Sequence, residues 1–161
     1  MAHTQFDPDR ATIKGEFQSI MVVDPARPAH NSNLVLDPTK PFEVKVTWKL
    51  EGDDVPLYLA AGDANWSVEA FAESIGPGPE VRLGITTVAK GVPSGMPPVK
   101  QYAATITVPA GTLAEGNPFP GQPSGVYKVV CTAFLNSTAG APGFDMAGFG
   151  EGPLIRMENP I

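Results

Sequence analysis

The chain has no second cysteine. Cys131 stands alone in 161 residues, which excludes an internal disulfide, fits a reducing compartment and leaves stability to packing. Charge is also scarce, at 17% of residues against about 25% in ordinary soluble domains. Basic residues never cluster: positions 1–80 carry 6 basic and 13 acidic side chains, positions 81–161 carry 5 and 4, and the formal charge is −6. That sign and spread argue against nucleic acid and anionic membrane surfaces, which need a basic patch. No apolar run approaches the roughly 18 residues that would read as a spanning helix, so no membrane insertion is expected. The opening MAHTQFDPDR is followed by no apolar stretch of signal-peptide type, and a cytoplasmic location is the expectation, with secretion after cleavage of a leader as the alternative.

Chemical motifs are equally thin. The two histidines, His3 and His30, stand beside no Cys, Ser or acidic partner at ligand or triad spacing. There is no Walker loop. The run at 148–152, GFGEG, has the glycine content of a phosphate loop without the strand-to-helix junction that such a loop needs. Gly91-Val-Pro-Ser-Gly95 has the wrong glycine spacing for a nucleophile elbow. Cys131 alternates with apolar residues and reads as a small buried hydrophobe.

What the sequence has is turns and alternation. The 17 Gly and 18 Pro make 35 of 161 residues, well above the roughly 12% average. Apolar residues reach 42%, and a chain of this length buries roughly two thirds of its unfolded surface in one domain. Positions 42–50, FEVKVTWKL, alternate without a fault: Phe42, Val44, Val46, Trp48 and Leu50 on one side, Glu43, Lys45, Thr47 and Lys49 on the other. A period of two in β-branched and aromatic residues predicts a strand with one face in a core. Positions 125–135 repeat the pattern with Tyr127, Val129, Cys131, Ala133 and Leu135, and 102–108 do so with Tyr102, Ala104, Ile106 and Val108.

Other segments are less regular. Positions 1–10 read as a polar arm ahead of one domain over 11–161. Positions 11–23 read as an edge strand with Ile13, Phe17 and Met21 apolar and a crowded IMVV end that is bulged or buried on both faces. Positions 34–36 suggest a short strand, and 57–59 a brief pairing within the connection 51–64. The run 65–75, NWSVEAFAESI, fits either a helix capped by Asp63 or a strand with Trp66, Val68, Ala70 and Ala72 on one face. The strand is preferred, because Gly76-Pro-Gly-Pro79 leads directly into a second alternating run, with Val81, Leu83 and Ile85 on one face. Positions 89–98, 112–124 and 137–152 read as Gly- or Pro-rich loops, and 154–157 as a last strand.

About seven strands at these intervals predict an all-β fold, an antiparallel β-sandwich. Trp48 in an early core strand, and Tyr127 and Cys131 in the penultimate one, give the pattern over about 11–157 a resemblance to immunoglobulin and fibronectin type III sandwiches. The departures are specific: Cys131 has no bridging partner, Tyr127 precedes it by four residues instead of two, and the usual acidic residue near the tyrosine is missing. The resemblance implies a fold class and no function.

If that topology holds, connections 51–64, 89–98 and 137–150 gather at one end and carry Tyr58, Met96, Phe144, Met146 and Phe149 on Gly/Pro backbones. Apolar side chains there call for a cover, either a protein partner, a second copy in a homo-oligomer or the domain's own core. The leading expectation is therefore a noncatalytic interaction or structural subunit without a cofactor, associating through edge strands and these loops. A ligand-binding module is the second, for carbohydrate on Trp66, Tyr58 or Trp48, or for a weakly held Ca²⁺ on Asp53, Asp54 and Asp63. A hydrolase is the third, and it requires a carboxylate pair such as Glu69 with Glu73.

Overall fold

The structure, a computed structural model, describes residues 4–27, 32–138 and 142–159. Among the described residues ten strands form two sheets around a shared core. In chain order they are β1 (Thr4–Asp7), β2 (Asp9–Arg10), β3 (Ile13–Val23), β4 (Val35–Leu36), β5 (Phe42–Glu51), β6 (Asn65–Ser74), β7 (Val81–Ala89), β8 (Val99–Val108), β9 (Val126–Leu135) and β10 (Met146–Met157), with a helix α1 (Val55–Ala61) between β5 and β6. One sheet runs β2-β3-β5-β8; the other runs β1-β10-β9-β6-β7, with β4 pairing in parallel on the end of β10. All other pairings are antiparallel. No described helix is long and apolar enough to cross a membrane.

The period-two reading places the core correctly in β5, β6, β8 and β9. Phe42, Val44, Val46, Trp48 and Leu50 are buried, as are Trp66, Val68, Ala70 and Ala72 in the segment that also fitted a helix. A helix over 65–75 would have divided these four between opposite sides, whereas the strand puts all of them against the facing sheet. At the centre, Trp48 stacks on Tyr102 at 5.2 Å and meets Trp66 edge-to-face at 5.7 Å. Phe17 lies 6.5 Å from Trp48, and Phe6 lies 6.2 Å from Trp66. Among the described residues neither indole N–H completes a hydrogen bond, although the Trp66 N–H lies near enough to the Tyr102 hydroxyl to oppose the rise that burial gives its pKa.

Bulges account for the strands that depart from simple alternation, because one extra residue reverses which side chains face inward. In β3 the register slips between Phe17 and Ser19, so Val22 and, in part, Ile20 point into the core and Met21 points away. In β7 the slip against β6 lies between Ala70 and Phe71, and Leu83 is buried while Ile85 is half exposed. The expected common face of Val81, Leu83 and Ile85 is thus broken at Gly84, where an added Cβ would lie 2.7 Å from Ile106 Cγ2.

Three other segments differ from expectation. Positions 57–59 belong to α1: Pro56 falls in its first turn, and Val55, Tyr58 and Leu59, at spacing i, i+3, i+4, form its buried stripe. The polar arm is strand over β1 and β2, tied to both sheets. Most of the glycine-rich stretch after 145 is the first half of β10, since Gly148, Gly150 and Gly152 share the inward face and leave room for side chains of the opposite sheet. Their spacing of two was the available signal.

Beyond the end of β3, the buried Asp24 organises the chain. Its carboxylate accepts from Ala26 N at 2.9 Å and from Arg27 Nε at 3.0 Å, and its own N–H donates to Asn33 Oδ1 at 2.8 Å. Burial pushes its pKa up, but the Ala26 N–H and the Arg27 guanidinium together outweigh that and hold the carboxyl below its ordinary 3.8. A depressed folded value means stability that is present above the ordinary pKa and lost as pH falls through the folded one. Asp24→Asn should therefore cost about 1 kcal/mol in urea unfolding at neutral pH, and the gap to the unsubstituted protein should close in acid. A gap that widens in acid would contradict this assignment.

Candidate functional site

The strand directions bring 51–64, 90–98, 136–138 and 142–145 to one end of the sandwich, and backbone hydrogen bonds tie the first three together. Gly52 N donates to Pro98 O at 3.0 Å, Lys90 N to Ala64 O at 3.0 Å, and Asp63 N to Asn136 O at 2.7 Å. Gly52 has φ +133°, and a Cβ there would fall on the Thr12 backbone, so only glycine closes β5 in this way. Lys90 Nζ donates to Leu59 O at 2.6 Å and to Gly62 O at 3.0 Å, a cation on the carbonyls at the end of α1.

The five apolar residues expected to meet a partner at this end do not form one patch. Tyr58 is 5% exposed and packs edge-to-face on Phe144 at 5.2 Å, and Met146 is 1% exposed. Tyr58 and Met146 are therefore parts of the core, and Phe144 packs against it as a plug. Apolar side chains on a loop fold back when the core beneath them is within reach. Met96 is 97% exposed, with Val92 at 82% in the same loop. Phe149 faces outward from β10, 5.6 Å edge-to-face from Phe134.

The chemical alternatives fare differently. Trp48 and Trp66 are fully buried, so with Tyr58 also in the core none of these three rings presents a face to a sugar. Asp63 accepts from the N–H of Ala64 at 2.8 Å. Asp53, Asp54 and Asp63 gather no ligand set: among the described residues no three His, Cys, Asp or Glu side chains are placed to hold a metal ion. Glu69 is occupied by Arg82 at 3.2 Å on the outer face of β6. Burial pushes the Cys131 thiol up to about 12, which keeps it protonated and unreactive at neutral pH. His3 and His30 lie outside the described residues.

What sequence reasoning missed is the contrast between the two edges. On one side the ladder of β10 is covered by β1 along Ala147–Gly150 and by β4 at Arg156 and Met157. Between them a bulge at Glu151/Leu154, containing Gly152 and Pro153, interrupts it. On the neighbouring sheet β2 covers the first residues of β3. These are the devices by which sheets avoid edge-to-edge pairing. The opposite side is covered less: among the described residues a bulge at Leu83 interrupts β7, and Ser94 pairs with Val99 at the very start of β8. There β7 pairs with β6 alone and β8 with β5 alone among the described strands. They run for 9 and 10 residues without proline and with one charge each, Arg82 and Lys100. Ile85 is 50% exposed, and Val92 and Met96 stand on the loop that joins these two strands. The signal was the low charge of 81–108 with no proline inside either strand; which neighbour each strand lacked could not be read from the chain.

No family model matches the sequence and no curated protein matches it. Among solved structures, the chain is similar to the sporulation control protein Spo0M from Bacillus subtilis, at 12% identity and a TM-score of 0.38, over 92% of this chain. The match covers 49% of that protein, so this chain spans about half its length.

Proposed function

We propose that this chain is a noncatalytic sandwich of the immunoglobulin or fibronectin type III kind that works by association, pairing with a second copy along its β7/β8 side. The fold assignment is supported by strand order. Lettered A, B, C, C′, E, F and G in chain order, the seven long strands β3, β5, β6, β7, β8, β9 and β10 form one sheet ABE and another GFCC′. Tyr127, near the start of the sixth long strand, donates from its hydroxyl to Ala114 O at 3.0 Å in the preceding connection, which has the form of the tyrosine corner of such domains.

One observation carries the association: two long strands with uncharged centres end their sheets on the same side, and among the described residues no further strand pairs with either. Strand β8 is also compatible with itself. In a two-fold antiparallel pairing centred on Ala104, Gln101 faces Thr107, Ala103 faces Thr105, and Lys100 faces Val108, so no like charges meet. The exposed Met96 and Val92 would flank that seam.

Thr105→Lys places opposing ammonium groups near the centre of the seam while its side chain stays solvent-facing in the monomer. Sedimentation equilibrium over a wide concentration range should give a dimer for the parent and a monomer for Thr105→Lys, with unchanged circular dichroism. A parent that is strictly monomeric throughout, or a dimer indifferent to the lysine, refutes this reading.

A further inference from the structure

Residues 4–10 leave one sheet and join the other, and a single side chain anchors the first part. Phe6 inserts its ring between two glycines of different sheets, Gly15 on β3 and Gly148 on β10; a Cβ at either would collide with it. The floor of this slot is aromatic, with Phe17 at 5.8 Å and Trp66 at 6.2 Å. The rest of β1 is lightly held: Thr4, Gln5 and Asp7 are exposed, and a cleft of about 550 Å³ opens beside the strand, with Asp9, Lys14 and Glu16 among its lining residues.

We propose that this slot is a strand-acceptor site for a second copy of the chain, each copy placing its Phe6 between Gly15 and Gly148 of the other. The connection that would open is the two-residue turn Ala11–Thr12 between β2 and β3, where Arg10 pairs with Ile13. Two-residue hairpins match the twist of their strands through turns with positive φ. Among the described residues only glycines have positive φ, so Ala11 and Thr12 close this hairpin in a poorly matched form. Opening it lets β2 and β3 run on as one extended segment over 9–23, while β1 and β2, with the crossing between sheets kept at Asp7-Pro8, recover the same contacts on the other copy. A short hinge of this kind beside a brief strand whose inward side chains are only Phe6 and the adjoining Pro8 is a setting in which such exchange costs little. The open β7/β8 edge plays no part in this exchange.

The test uses full-length chains with Gln5→Cys in one protein and Phe149→Cys in another, positions that face each other across β1 and β10. Buried Cys131 stays out of the reaction. The two are mixed at high concentration just below the unfolding temperature, diluted and oxidised, and their covalent species resolved without reductant. A chain carrying both substitutions, oxidised when dilute, reports through its intrachain disulfide that β1 still docks. The expected result is a mixed disulfide several-fold above the dimer formed by either protein alone. Ala11→Asn with Thr12→Gly in both chains, which supplies a matched turn, should lower that yield several-fold, and Thr105→Lys should leave it unchanged. A mixed yield no higher than the single-protein controls, or one indifferent to the turn, overturns the proposal.

Discussion

Trp48→Ala is expected to lower the free energy of unfolding by about 3–5 kcal/mol, the range for truncating a large buried aromatic. Trp48 is fully buried and joins the sheets through rings: Tyr102 and Phe17 share its own sheet, and Trp66 comes from the facing one. Truncation removes the contacts of both layers at once. The surrounding strands cannot collapse to fill the space, because β5 is held on both sides, by β3 and β8. Domains of this size are stable by only about 5–15 kcal/mol, so this one change removes a large share of the total. Trp48→Phe keeps an aromatic body and leaves no buried indole N–H, so it should cost clearly less than the alanine. Urea unfolding followed by the fluorescence of Trp66 measures both, and a cost below about 1 kcal/mol for the alanine would mean that this cluster is not the centre of the core.

The same cluster explains how much of the fold was legible beforehand. Alternation in 42–50 and 125–135 predicted which residues are buried, because a strand held on both sides with one face inward has no freedom to do otherwise. The bulge at Ala70/Phe71 leaves no mark in the sequence, since an inserted residue shifts the phase without changing composition, while the one at Phe17/Ser19 is marked only by the crowding of apolar residues that follows it. Simple alternation therefore places Ile85 with Val81 and Leu83, whereas the crowded IMVV end already allows the bulge that turns Met21 away. Helix α1 is too short for periodicity to separate it from a strand, and its three buried residues answer to the end of the sandwich beneath them.

The site was less legible than the fold. Met96 and Phe149 were found as exposed apolar groups, but Tyr58 and Met146 were not separated from them, because a loop residue's burial depends on what lies under the loop. Edge character is likewise a property of neighbours. Nothing within VRLGITTVA or VKQYAATITV says that one flank has no partner; only the pairing of every other strand reveals it. Glycine misled in the opposite direction. Its abundance in 137–152 reads as loop, yet from 146 onward the spacing of Gly148, Gly150 and Gly152 records the shape of Phe6 on the neighbouring strand and of Phe17 and Ile20 across the core.

That last point predicts a change of sign. Gly148→Ala should destabilise the protein by about 1–3 kcal/mol, as overpacking does, because the new methyl group falls on the Phe6 ring and lies 3.0 Å from Phe17 Cε2. Gly148 does not have a positive φ, so the backbone itself accepts alanine, and outside this slot the substitution would stabilise by about 0.4–1 kcal/mol through the unfolded chain. Phe6→Ala removes the ring. In that background Gly148→Ala meets only Phe17, which can shift by the few tenths of an ångström required, and the substitution should become neutral or stabilising. The four proteins of the cycle, compared by urea unfolding, should therefore show a coupling of about 1–3 kcal/mol between two residues that pair across β1 and β10. Equal effects of Gly148→Ala with and without Phe6 would mean that the ring moves aside at no cost, and that the glycines of β3 and β10 are not the walls of its slot. Gly15→Ala, which meets the same ring from the other sheet, should show the same reversal; a reversal at one glycine only would place Phe6 against one sheet instead of between the two.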